Sequence, residues 1–109
     1  MKDELSKVYS KQQLEKILDE ALIYMCACPA QVAEQLIRLR ELFAYQTECT
    51  SDSPLMNAVH YRIAESTRKA HAELEQCLSE VLTMEGWDPQ TLNMPEGLRQ
   101  IRLQNIHRD

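Results

Sequence analysis

The sequence predicts an all-α protein: an antiparallel helical hairpin of three to four helices, its long first arm kinked or broken at Pro29, dimerising into a helical bundle. Three observations lead there. Only two glycines and four prolines occur in 109 residues, while Leu, Glu, Gln, Ala, Arg and Lys are abundant, which suits helices and not turn-rich β folds. Apolar residues recur at alternating steps of three and four along most of the chain. The stretch TSDSP, residues 50 to 54, is dense in residues that cap or turn, and it marks the corner of the hairpin. An apolar share of 44% supports one modest core, so a single body is expected.

Residues 1 to 9 are expected to be a flexible N-terminus, residues 10 to 86 the hairpin or bundle, and residues 87 to 109 a connector with a short last helix. The first helix starts after Ser10, because Ser10 with Gln13 matches a capping box. Its seam is Leu14, Ile17, Ala21, Tyr24 and Cys28, widened towards the end by Leu18, Leu22, Met25 and Cys26. Pro29 removes an amide and clashes with the carbonyl of Met25 if the helix runs on, at a cost of about 3 kcal/mol. No Gly or Asn stands at that point to take a left-handed cap, so a kinked continuation is favoured over a full reversal.

The second helix resumes at Pro29 and carries Val32, Leu36, Leu39 and Phe43 on one face as far as about Cys49. After the corner, Pro54 opens a long helix whose seam is Met56, His60, Ile63, Thr67, Ala70, Leu74, Cys77, Val81 and Met84, ending near Gly86. Steps of four and three without a break are a coiled-coil signature. The stretch "WDPQTLNMP", residues 87 to 95, has two prolines and no helical period, so it is a connector. A short helix from Glu96 to Asn105 docks through Leu98 and Ile101 on the bundle or on a partner.

Charge and motifs exclude several functions. A net charge of −5 opposes nucleic-acid binding, which rests on Lys and Arg displacing counterions. Such binding would have to use Arg62, Arg68 and Lys69 with the basic residues of the tail. The uncharged run from Ala21 to Ala30 is about half of the roughly 20 residues needed to cross a bilayer. Glu15, Asp19 and Glu20 stand where a secretory leader needs basic residues, so the chain is expected to be cytoplasmic. There is no nucleophile elbow, Walker loop or HExxH pattern, and no enzyme activity is expected. Glu34, Glu41 and Glu48 recur every seventh residue, but without a Glu-x-x-His pair they form a solvated face.

The cysteines offer the one chemical alternative. In a hairpin turned between residues 49 and 54, Cys26, Cys28 and Cys77 gather at one end, and Cys49 lies about 30 Å away. A closed four-cysteine zinc site is therefore not expected. Cys26 and Cys28 point about 200° apart on a regular helix, so they share a zinc, iron or copper ion with Cys77 only if Pro29 unwinds the chain between them. Neither His71, on another flank, nor His107 is a natural fourth ligand.

The leading expectation is a small acidic interaction protein of regulatory or adaptor type, with no cofactor, that forms a homodimer and binds a protein partner. Its interface is expected at Leu22 and Met25, and in the tail at Trp87, Leu92, Met94, Leu98 and Ile101; for Trp87, Leu92 and Met94 folding back on the bundle is favoured over an offer to a partner, since large exposed apolar patches are uncommon on soluble monomers. The seam of the long third helix is the second candidate for the dimer contact.

Overall fold

The computed structural model describes residues 4–22 and 28–95, the side chains of residues 21 and 22 excepted. Among them are three helices and no strand: α1 (Lys11–Leu22), α2 (Cys28–Glu48) and α3 (Pro54–Glu85). None is long and apolar enough to cross a membrane. Met25, Cys26, Leu98 and Ile101, together with the whole proposed last helix, lie outside the described residues, and of Leu22 only its place at the end of α1 is given.

Local chemistry sets the ends of the helices. At the start of α1 the capping box closes both ways: Gln13 N–H donates to Ser10 Oγ at 3.0 Å, and Ser10 N–H donates to Gln13 Oε1 at 2.8 Å. α2 opens on Cys28 and Pro29, with the proline ring fully buried in the first turn, where its missing N–H costs nothing. α3 begins with Ser53 accepting from Met56 N–H at 3.3 Å and Pro54 in the first turn. It ends at Gly86, whose φ of 79° is the left-handed conformation that a Cβ disfavours. There Trp87 N–H returns to the Leu82 carbonyl and Gly86 N–H to that of Thr83, the paired bonds of a Schellman motif. Leu82 and Trp87, both buried, supply its hydrophobic closure.

The core joins all three helices and the connector. Leu14 and Ile17 of α1, Ala33 and Leu36 of α2, Leu78 and Leu82 of α3, and Trp87, Leu92 and Met94 beyond it form one buried cluster. Of the two alternatives for Trp87, Leu92 and Met94, the structure takes the folded-back one, not the interface: they are 4%, 3% and 4% exposed and pack on their own chain. The connector can fold back because its polar groups are satisfied locally. Asp88 Oδ1 accepts from Gln90 and Thr91 N–H, and the Asp88 carbonyl accepts from Leu92 N–H at 2.8 Å. Met94 N–H then donates to the buried Glu20 carboxylate of α1 at 2.8 Å.

Two further expectations change. Arg40 Nη2 donates to the Tyr9 carbonyl at 2.6 Å across 31 positions of sequence. A first arm that only kinked into α2 would hold these groups about 45 Å apart. Helix α1 therefore lies beside α2, and residues 23–27, which join them, are outside the described residues. The second change is in α3, whose buried face runs through Ala64, Thr67, His71, Glu75, Leu78 and Leu82. Of the expected seam, Thr67 is buried and His60, Leu74 and Val81 are half-buried, but Ala70 is exposed, Met56 is 43% exposed and Met84 83% exposed. The helix is rotated so that its polar residues enter the interior.

Candidate functional site

Those polar residues form a closed knot. Glu75, on the inner face of α3, is 3% exposed and uses Oε2 to accept from Val8 N–H at 2.7 Å and Tyr9 N–H at 3.1 Å. Arg40, midway along α2, places Nη2 3.3 Å from the same oxygen while it holds the Tyr9 carbonyl. Its Nε donates to His71 Nε2 at 3.0 Å, and Tyr9 Oη lies 2.6 Å from Ser79 Oγ. Accepting at Nε2 leaves the proton of the neutral imidazole on Nδ1. Among the described residues Nδ1 has no hydrogen-bond partner, since Glu75 Oε1 stands off at 3.6 Å. Burial holds the His71 pKa below its ordinary value, and Arg40 and Lys7 act the same way while Glu75 opposes them.

A histidine, a carboxylate and a guanidinium together invite a catalytic interpretation, but a general base must reach its substrate. His71 is 0% exposed, and its one free lone pair is taken by Arg40. The shallow groove beside the knot, about 320 Å³, is reached by Arg40 and lined with Glu4, Leu5, Lys7, Phe43 and Thr47. The knot ties the segment before α1 to α2 and α3 at one height.

The second feature is a bare face. The segment before α1 and α1 itself cover the flank of α3 that bears Glu75 and Ser79, and the flank of α2 that bears Arg40 and Ile37. On the opposite flank of α3 lie Met56, Val59, Ile63, Ala70, Cys77 and Met84, about 60° to 140° round the helix from the middle of the buried line. Val59 is 39% exposed and Ile63 and Cys77 are half-buried. From α2 the same side receives the half-buried Leu39 and Leu42, 40% exposed. No described segment covers this layer.

Other groups singled out in the sequence fall in different places. Cys28 is exposed at the first turn of α2, Cys77 is half-buried on α3, Cys49 is half-buried beyond α2, and all three are free thiols. With Cys26 outside the described residues, the three-thiol arrangement is not defined, and no group of three His, Cys, Asp or Glu among the described residues is placed to hold a metal. His60 Nδ1 lies 2.6 Å from Gln46 Oε1. Glu34, Glu41 and Glu48 are exposed, Arg68 is paired with Glu65 at 3.0 Å, and Arg62 donates to Ser66. Arg40 and Glu75 escaped sequence reasoning because a charged residue on a helix is ordinarily a surface residue. The available signal was the spacing Thr67, His71, Glu75, Leu78, Leu82, which continues one face through the polar positions.

No family model, curated protein or solved structure matches the chain.

Proposed function

We propose that this chain is a small acidic helical interaction protein of regulatory or adaptor type, working in the cytoplasm, where its cysteines remain thiols. In this reading α2 and α3 form an antiparallel hairpin, α1 and the connector cover one of its faces, and the opposite face binds protein. One observation carries it. Met56, Ile63, Ala70, Cys77 and Met84 repeat every seventh residue over most of the 32-residue α3, and they do so on the uncovered side. A heptad row of apolar and small residues is what a helix presents to another helix. As a solvent face it exposes apolar surface with no return.

The test is a photo-crosslinking amino acid at Ala70, with Lys11, on the covered half of the molecule, as control. Discrete adducts from Ala70 in intact cells are expected, and few from Lys11. A failure of both sites to give adducts above background removes the bare face as a binding surface.

A further inference from the structure

We infer that the occupant of the bare face is a second copy of the same chain, packed layer on layer, with the two α3 helices antiparallel and crossing at Ala70; this rests on the binding-face reading above. The first argument is charge. Along the outer edge of the row, the N-terminal half of α3 carries Arg62 and Lys69, and the C-terminal half carries Glu73 and Glu80, all four exposed. A two-fold axis at Ala70 sets Met56 opposite Met84 and Ile63 opposite Cys77, since each pair is equidistant from it. It also brings Arg62 and Lys69 of one copy beside Glu80 and Glu73 of the other, within about 3 Å of rise. Parallel pairing about a two-fold along the helices would instead carry the two charged edges to opposite sides of the contact, where none of the four charges gains a partner.

The second argument is shape. Ala70 is the smallest member of the row and stands at its middle, so two α3 backbones approach most closely where the proposed axis passes. Arg40 bonds to His71, so the middle of α2 is level with Ala70, and Leu39 and Leu42 then meet their own counterparts near the same axis. The row also runs straight enough to be shared. A strict seven-residue repeat drifts by about 20° per heptad on a straight helix, and a left-handed crossing of two helices absorbs that drift.

The third argument is area. The row from Met56 to Met84 is about 40 Å long, and two adjacent helices are about 20 Å wide. That is about 800 Å² per copy, the size of a standard stable interface. The heptad signal in the sequence thus divides between two partners. Thr67 is buried and Leu74 packs on the chain's own core, while Met56, Ala70 and Met84 are exposed towards the other copy.

Sedimentation equilibrium of the intact chain tests this directly. A mass near 25 kDa, about twice the 12.7 kDa of one chain, is expected at micromolar concentration. Ala70→Glu should return it to one chain with its helical circular dichroism and melting temperature retained. Arg62→Glu should weaken association at least tenfold, and adding Glu80→Arg should restore it. Direction is read with Cys26, Cys28 and Cys49 replaced by Ser: under mild oxidation, the sulfur introduced by Ile63→Cys should join Cys77 of the other copy. Linkage of like positions, 63 to 63 and 77 to 77, would overturn the antiparallel arrangement. A mass of 12.7 kDa for the unaltered chain at 100 μM would overturn self-association. In that event, Ala70 adducts to a different protein would leave the binding-face reading standing, and absence of adducts would end both.

Discussion

The two faces of the α2–α3 layer are built from the same helices by different means. The covered face holds the buried cluster of Leu14, Ile17, Leu36, Leu78, Leu82 and Trp87, together with a charged knot whose hydrogen bonds join Val8, Tyr9, Arg40 and Glu75 across the chain. The bare face holds an apolar row, and the polar contacts along its edge are local ones such as Arg62 with Ser66 and Gln76 with Glu80. On the proposed reading, stability and recognition are separated by side. A substitution on the first face should unfold the protein, and one on the second should leave folding intact and change association.

The largest effect should come from Glu75→Ala. It leaves Arg40 buried without its counterion and strands the amides of Val8 and Tyr9, a loss of about 3–5 kcal/mol on the pattern of broken buried ion pairs. Urea unfolding measures it. A loss below about 1 kcal/mol would mean the knot is solvated and the contrast between faces is false. Leu36→Ala, at a side chain with 0% exposure, should cost about 2–5 kcal/mol through lost burial and the cavity left behind. The two losses should be separable, since the aliphatic cluster and the knot respond differently to pH.

That pH response has a definite sign. Burial, with Arg40 and Lys7, depresses the folded pKa of His71 below its ordinary value of 6.5, while Glu75 pulls the other way. The unfolded chain therefore binds the proton first as pH falls, so this contribution is complete above pH 6.5 and is lost below it, as pH drops towards the folded pKa. Protonation of Nε2 would also end its acceptance of the Arg40 Nε–H and set two cations in contact. Melting temperature should be level from pH 8 to 7 and decline towards pH 5.5. In His71→Gln the part of the decline due to this ring should disappear. An unchanged slope in that variant would place the sensitivity elsewhere.

Much of this architecture was legible in the sequence where backbone chemistry decides. Ser10 with Gln13, Ser53 with Pro54, and Gly86 each mark a helix end through short-range rules, and each end lies where those rules place it. The rotation of α3 was marked only by a spacing that runs through polar positions. Hydrophobic period finds the interior by looking for apolar residues, and here Thr67, His71 and Glu75 occupy it because Arg40 and the Val8 and Tyr9 amides, distant in sequence, satisfy them. Within the segment expected to be a flexible terminus, the same bonds fix Val8 and Tyr9 in place. Trp87, Leu92 and Met94 were recognised as too apolar for an idle connector. Folding inward was the favoured reading, and what the sequence did not reveal is how the Asp88 turn and the Glu20 carboxylate satisfy the connecting amides.

The smallest expected effect is also the most discriminating. Met84, on the bare row, is 83% exposed, so Met84→Gln removes little apolar surface that folding has buried. Its unfolding free energy, measured at low protein concentration, should stay within about 0.5 kcal/mol of the unaltered chain, the usual range for a surface substitution. At high concentration the same change should lower the melting temperature if an antiparallel copy covers the row, because association stabilises only the folded state and the lost contact, Met84 on Met56, weakens it. A melting temperature equally indifferent to concentration in both proteins would reduce the row to ordinary exposed surface. A large loss already present at low concentration would put Met84 on the stabilising side of the molecule and dissolve the division between the two faces.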